Sequence, residues 1–175
     1  GKRALVTGGL GFIGGHVARA LDRLDCAVTL IDALLPECGG NRFNVRDLEG
    51  RVDVHVADVR DEAALLPLVD GQDFVFNLAG QVSHVDSMTD PLGDLAHNCA
   101  ASLAVLEACR RRNPQARIVF TASRQQYGRP RYLPVDEDHP VLPVDVNGVH
   151  KTAAESYHRV YAHSHGLRTT SLRLT

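Results

Sequence analysis

The chain has no tryptophan, a single methionine and few aromatic residues, with five Phe and four Tyr among 175 residues. So sparse a set does not furnish the stacking platform on which single-stranded nucleic acid is bound. An excess of one charge is lacking too: 19 Lys and Arg stand against 21 Asp and Glu, a formal net charge of −2. No broad attraction to nucleic acid or to an anionic membrane follows from that balance. No apolar run reaches the length of a membrane span. The first one, residues 4–6, leads straight into glycines and does not read as a secretory leader. Cys26, Cys38, Cys99 and Cys109 include no closely spaced pair, so no zinc site is signalled. They read as reduced, partly buried thiols of a cytoplasmic protein.

What is present is an ordinary globular composition, 44% apolar and 23% charged, at a length that suits one α/β domain. Strand and helix patterns alternate along it. Strands are expected over residues 4–6, 27–31, 52–56, 73–77, 117–121 and 168–174. Helices are expected over 12–24, 61–69, 90–112 and 147–164, with a loop over 33–50 and a proline-rich loop over 124–146. Arg110, Arg111 and Arg112 read as solvated cations at a helix C-terminus. Such alternation predicts right-handed βαβ units and a doubly wound parallel sheet, a three-layer Rossmann fold. The pattern starts within a strand and stops just after one. Residues 1–175 are therefore expected to be a nucleotide-binding domain cut from a longer protein.

The strongest motif is Thr7-Gly8-Gly9-Leu10-Gly11-Phe12-Ile13-Gly14, which follows the first strand and opens the first helix. Gly8 permits a tight turn, Gly11 lets the backbone approach a diphosphate, and Gly14 lets helix and strand pack closely. Unpaired N–H groups at the helix start then face the phosphates. Asp32 ends the second strand, 18 residues beyond Gly14, where a carboxylate can accept from both ribose hydroxyls and repel a 2′-phosphate. That favours NAD over NADP, although Arg42 could offset the charge.

With these residues the sequence resembles the extended short-chain dehydrogenase/reductases, the NAD-dependent epimerase/dehydratase group that modifies nucleotide sugars. The resemblance spans essentially the whole chain. Ala57-Asp58-Val59 resembles the segment lining the adenine pocket, which implies adenine contacts for Asp58 and Val59. Asn77-Leu78-Ala79-Gly80 resembles the segment passing under the cofactor, and Asn98 matches an Asn that steadies that region. Thr121-Ala122-Ser123 with Tyr127-Gly128 resembles the run carrying the catalytic hydroxyl, which falls on Ser123. A C-terminal substrate domain, expected in the family, is absent from these residues. The resemblance also implies a homodimer packed through the helices over 90–112 and 147–164, which carry Leu103, Leu106, Val160 and Ala162; the alternative is that these side chains face the sheet.

One position departs from the family. Its Tyr-x-x-x-Lys pair appears here as Asn147-Gly148-Val149-His150-Lys151. In the family, the Tyr phenol exchanges a proton with the sugar while hydride moves to or from the nicotinamide, and the Lys lowers the phenol pKa and binds the nicotinamide ribose. Asn147 occupies the right helix face but cannot act as a base. Losing a positioned proton-transfer group costs about 10²–10⁴ in rate. His150, His84, Asp86 and Tyr127 are the candidate replacements, and an imidazole suits best, with an unperturbed pKa of about 6.5. His158, His163 and His165 read as solvated helix or turn residues.

The expected function is therefore an NAD-dependent epimerase or dehydratase acting on a nucleotide sugar. The catalytic set would be Ser123, Asn147, His150 and Lys151. A catalytically silent NAD-binding or sensor module is the alternative that Asn147 raises, and an NADP-dependent reductase of a non-sugar carbonyl is a third, against which Asp32 speaks.

Overall fold

In a computed structural model, which describes residues 1–36 and 38–175, six strands form one parallel sheet in the order β3-β2-β1-β4-β5-β6. They are β1 (Arg3–Thr7), β2 (Ala27–Asp32), β3 (Asp53–Val56), β4 (Phe74–Asn77), β5 (Arg117–Ser123) and β6 (Arg168–Leu174). The helices are α1 (Phe12–Asp22), α2 (Glu62–Val69), α3 (His84–Thr89), α4 (Pro91–Leu95), α5 (Ala101–Arg112) and α6 (Val146–His165). The doubly wound Rossmann arrangement expected from the alternation is thus present.

Side-chain alternation along β1 divides the core. Ala4 and Val6 point to the α1 face with Ala18, Leu21 and Leu30. Leu5 points to the opposite face with Leu65, Val69, Val105 and Leu106, which α2 and α5 supply. A strand covered on both faces reads as a continuous apolar run, which Ala4-Leu5-Val6 is. Leu106 therefore belongs to the core and does not serve as an outward interface residue, whereas Val160 is half exposed.

Four local features depart from the expectation. The loop over 33–50 contains a 3₁₀ segment, Arg42–Leu48, started by the Asn41 side chain accepting from Phe43 N; Glu37 of that loop lies outside the described residues. A short helix, α3, precedes the long one, its first turn capped by Ser83 Oγ accepting from Asp86 N. The helix expected over 90–112 is interrupted by a π turn, Ala96–Ala100, between α4 and α5. Insertions of that kind often lie at functional sites. Finally, the proline-rich loop begins with a 3₁₀ turn, Arg124–Tyr127. No helix among the described residues is long and apolar enough to cross a membrane.

Candidate functional site

The sheet order reverses between β1 and β4, and ligands of open α/β sheets bind in the crevice at such a point. Gly8 turns the chain there with φ +64°, and a Cβ on it would come within 3.0 Å of the Ala79 backbone. A Cβ on Gly14 would stand 2.2 Å from the Gly8 carbonyl oxygen, so only glycine lets α1 start this close to the turn. Gly11 is the N-cap of α1 and offers no side chain to the first-turn N–H groups. They remain available to an anion.

These residues open on a cavity of about 380 Å³ lined by Gly8, Gly11, Phe12, Ile13, Gly14 and Asp32 on one side. Val59, Leu78, Ala79, Gly80, His97 and Ala101 line the other. Phe12 is largely exposed there, on the cavity wall that the glycine motif opens. Asp32 accepts from Leu10 N at 3.0 Å and from Leu34 N at 2.9 Å, one bond per carboxylate oxygen. Each oxygen keeps acceptor capacity for a hydroxyl. Arg42 is not brought to this cavity; it lines a separate groove with Phe43, Val45 and Arg46. Asp58 is also outside the lining. The Arg60 guanidinium holds it at 2.6–3.1 Å and lowers its carboxyl pKa, while the adjoining Val59 is buried against the cavity.

Beyond Gly80 the crevice is bounded by polar groups from two helices. A Cβ on Gly80 would lie 2.6 Å from Asn98 Oδ1 and 3.1 Å from Lys151 Nζ, so both groups sit over this one residue. Asn98 lies on the π turn and is buried, and neither atom of its amide has a hydrogen-bond partner among the described residues. Lys151 is buried on α6 with its ammonium 5.5 Å from the Phe120 ring centroid. Burial pushes its pKa down to about 8, against the opposing pull of Asp94 and Cys99. An unpartnered buried amide beside a desolvated cation, next to a cradle that tolerates no Cβ, fits a ligand that brings both phosphate and hydroxyl groups.

Asn147 stands at the first turn of α6, and its side chain is turned into the protein, 1% exposed. Its Nδ2 donates to Gln81 O and to Asp94 Oδ2, both at 3.0 Å, and its backbone N donates to Ser87 Oγ. Asn147 thus ties α6 to α3, α4 and the segment after β4. His150 turns toward the same carboxylate, with Nδ1 2.6 Å from Asp94 Oδ1. Ser123 is half-buried at the end of β5, and its Oγ accepts from Gln125 N at 3.2 Å, starting the 3₁₀ turn. No hydrogen bond joins Ser123 to Asn147, His150 or Lys151 among the described residues.

The other replacement candidates have different placements. Tyr127 is buried, its hydroxyl accepting from Arg173 at 3.1 Å, and Arg173 is in turn locked to Glu155. His84 is exposed, 3.8 Å from Asp145. Asp86 accepts from Gln81 Nε2 at 3.4 Å and lines a second cavity with Asp90 and Asp94. His158, expected to be solvated, is fully buried and stacked on Phe120 at 4.3 Å, because the inner face of α6 runs through 147, 151, 154 and 158. That i, i+4, i+7, i+11 spacing was the signal that could have placed it.

Sequence reasoning missed Asp94, His97 and Gln81. Asp94 fell inside the helix expected over 90–112 and carried no motif of its own. His97 carried no pattern at all before the π turn placed it on the cavity wall.

A model of the NAD dependent epimerase/dehydratase family matches residues 4–175. Among curated proteins, the UDP-glucose 4-epimerase of Azospirillum brasilense is 34% identical over 98% of this chain and 48% of its own length. The solved UDP-N-acetylglucosamine 4-epimerase of Methanobrevibacter ruminantium, in complex with UDP-N-acetylmuramic acid, superimposes with a TM-score of 0.90. Its identity is 33%, over 98% of this chain and 54% of that one. The UDP-glucose 4-epimerase of Brucella ovis in complex with NAD gives a TM-score of 0.90 at 30% identity, over 99% of this chain and 51% of that one. The chain therefore spans about half the length of the relatives it matches.

Proposed function

This chain belongs to the NAD-dependent epimerase/dehydratase family, and from that premise we propose that the protein is an NAD-dependent 4-epimerase or dehydratase of a nucleotide-activated sugar. The observation that carries the reading is the crevice at the sheet reversal, where an uncapped glycine turn leads to the unpartnered amide of Asn98 and the buried ammonium of Lys151. The cofactors of relatives and the nucleotide sugars in their names support it.

Gly8, Gly11, Phe12, Ile13 and Gly14 would hold the diphosphate of NAD, and Asp32 its adenosine ribose. Val59 would pack on the adenine beside Asp58, Leu78 to Gly80 would pass beneath the cofactor, and Asn98 and Lys151 would hold the nicotinamide ribose. Asp32 inside the cavity and Arg42 outside it support NAD over NADP. Bound there, NAD supplies a reversible hydride acceptor. Ser123 holds the reacting sugar hydroxyl. Lys151 contributes positive charge to a dry site, where it counts for more than in water. His150 exchanges the proton that a phenol would otherwise handle. Asn147 contributes order instead of chemistry, fixing α6 against Gln81 and Asp94. We place the enzyme in the cytoplasm, and we propose a homodimer, which the exposed apolar side chains Leu92, Val149 and Val160 on α4 and α6 support.

The test is turnover of a panel of UDP- and dTDP-hexoses by the full-length protein with NAD, beside its Asn147→Tyr and His150→Ala variants. Turnover by the parent that falls about 10²–10⁴-fold in His150→Ala is expected. A silent parent revived by Asn147→Tyr would instead establish an NAD-binding module that has lost its base. A monomeric mass in solution would count against the dimer.

A further inference from the structure

Asp94 is a carboxylate only 2% exposed, and each of its oxygens has its own partner. Oδ2 accepts from the Asn147 amide at 3.0 Å and Oδ1 faces His150 Nδ1 at 2.6 Å. A carboxylate is an acceptor only, so the proton of this short, charge-assisted bond sits on Nδ1. The side chain of His150 is 13% exposed, and its Nε2 makes no hydrogen bond among the described residues. Besides Asp94 from α4, the π turn presents Cys99, whose Sγ donates to the His150 carbonyl at 3.4 Å. Lys151 is the next residue on α6.

From this arrangement we infer that Asp94 is a positioning residue that fixes His150 in the Nδ1–H tautomer and leaves Nε2 as the proton acceptor. The inference rests on the proposed function, in which His150 exchanges the proton. An imidazole backed by a buried carboxylate is the recurring way to present one nitrogen as a base in a fixed orientation. When Nε2 takes a proton from a sugar hydroxyl, the O–H bond breaks, the N–H bond forms and the electron pair stays on oxygen. Asp94 faces the resulting imidazolium without moving. Asn147 completes the device: its amide holds Oδ2, so the carboxylate cannot rotate away from His150. The residue standing in the tyrosine's place thus serves the group that replaces the tyrosine's chemistry.

The geometry makes Asp94→Asn a directed test. Asn147 donates to position 94, so the variant's carbonyl oxygen must face Asn147 and its NH₂ must face His150. An NH₂ opposite Nδ1 favours the Nε2–H tautomer, which cannot accept a proton. Long-range ¹H–¹⁵N spectra of the ¹⁵N-histidine-labelled full-length protein read the tautomer directly, and turnover of UDP-glucose with NAD reads its consequence. Expected are Nδ1–H in the parent, Nε2–H in Asp94→Asn, and kcat reduced about 10²–10⁴-fold with KM little changed. A tautomer unchanged in Asp94→Asn overturns the inference, as does a reversed tautomer with undiminished kcat. Should Asp94→Asn fail to fold, the parent alone decides, and an Nε2–H resonance for His150 overturns the pairing. A parent that turns over no nucleotide hexose overturns the functional reading and the proton-transfer role with it. The tautomer result then still decides the pairing of Asp94 with His150.

Discussion

Nε2 of the His158 imidazole lies 3.3 Å from Nδ2 of Asn77, deep between α6 and the end of β4. His158 Nδ1 donates to Ala154 O at 2.9 Å, so Nε2 accepts from the Asn77 amide and the ring is neutral. Asn77 Nδ2 also donates to Ser102 Oγ at 3.0 Å, and Asn77 Oδ1 accepts from Thr7 Oγ1 at 3.3 Å. A chain of buried polar groups thus joins α6, α5, β4 and β1 directly behind the cavity.

His158 makes this chain sensitive to acid. Burial pushes its pKa from the ordinary 6.5 down to about 4, so between those values the unfolded chain binds more protons than the folded one. Stability is therefore full above pH 6.5, falls as pH drops toward 4, and levels off below it as far as this group is concerned. The loss is on the order of 3 kcal/mol. Urea unfolding at a series of pH values checks it, and His158→Gln should flatten the slope in that window.

Thr7 carries the other end of the chain. Its hydroxyl accepts from Leu78 N and Ala79 N, both at 3.0 Å, while donating to Asn77. Thr7→Val keeps the shape but leaves one buried acceptor and two part-buried donors unpaired. Each orphaned group costs about 1–3 kcal/mol. The expected outcome is a loss of several kcal/mol in a denaturant titration and weaker NAD binding, because Leu78 and Ala79 line the cavity.

Gly14→Ala tests the cradle itself. The added methyl would stand 2.2 Å from a backbone oxygen, and backbone cannot move aside as a side-chain end can. The start of α1 must therefore shift away from the turn, taking the N–H groups of the anion site with it. NAD affinity measured by calorimetry should fall at least about tenfold, the equivalent of 1.4 kcal/mol.

The parts of this molecule that were legible in its sequence are those governed by local physics. The strand–glycine–helix turn and the alternation of elements depend on neighbours close in sequence. Asn147 was legible as a side chain that cannot act as a base but not in its contacts, because its partners, Gln81 and Asp94, are 66 and 53 residues distant. Arg42 looked able to meet Asp32 only until the 3₁₀ segment carried it to another groove. His158 is different: the buried face of α6 is written in the spacing, and a polar side chain on that inner face is held by Ala154 and by Asn77, a residue that the spacing does not name.

Lys151 should give the cofactor site its alkaline limit. Its pKa is pushed down to about 8 by burial, so the ammonium loses its charge a little above neutrality, where an ordinary lysine keeps it to 10.5. The linkage has two opposite signs. For folding, the buried charge is a penalty that is present below pH 8 and relieved as pH rises from 8 to 10.5, so the group makes the protein more stable with rising pH in that window. For binding, the charged form is the one that attracts the anionic dinucleotide, so affinity falls over the same range as the charge disappears. A bound diphosphate favours the ammonium and moves its titration upward. Lys151→Met keeps the length and apolar bulk of the side chain and removes the charge. It is expected to raise the melting temperature at pH 7, to weaken NAD binding there about tenfold, about 1.4 kcal/mol, and to abolish most of the fall in affinity between pH 7.5 and 9.5. Calorimetry of parent and variant across that range measures all three effects. An affinity that falls equally in both would mean that another group sets the alkaline limit.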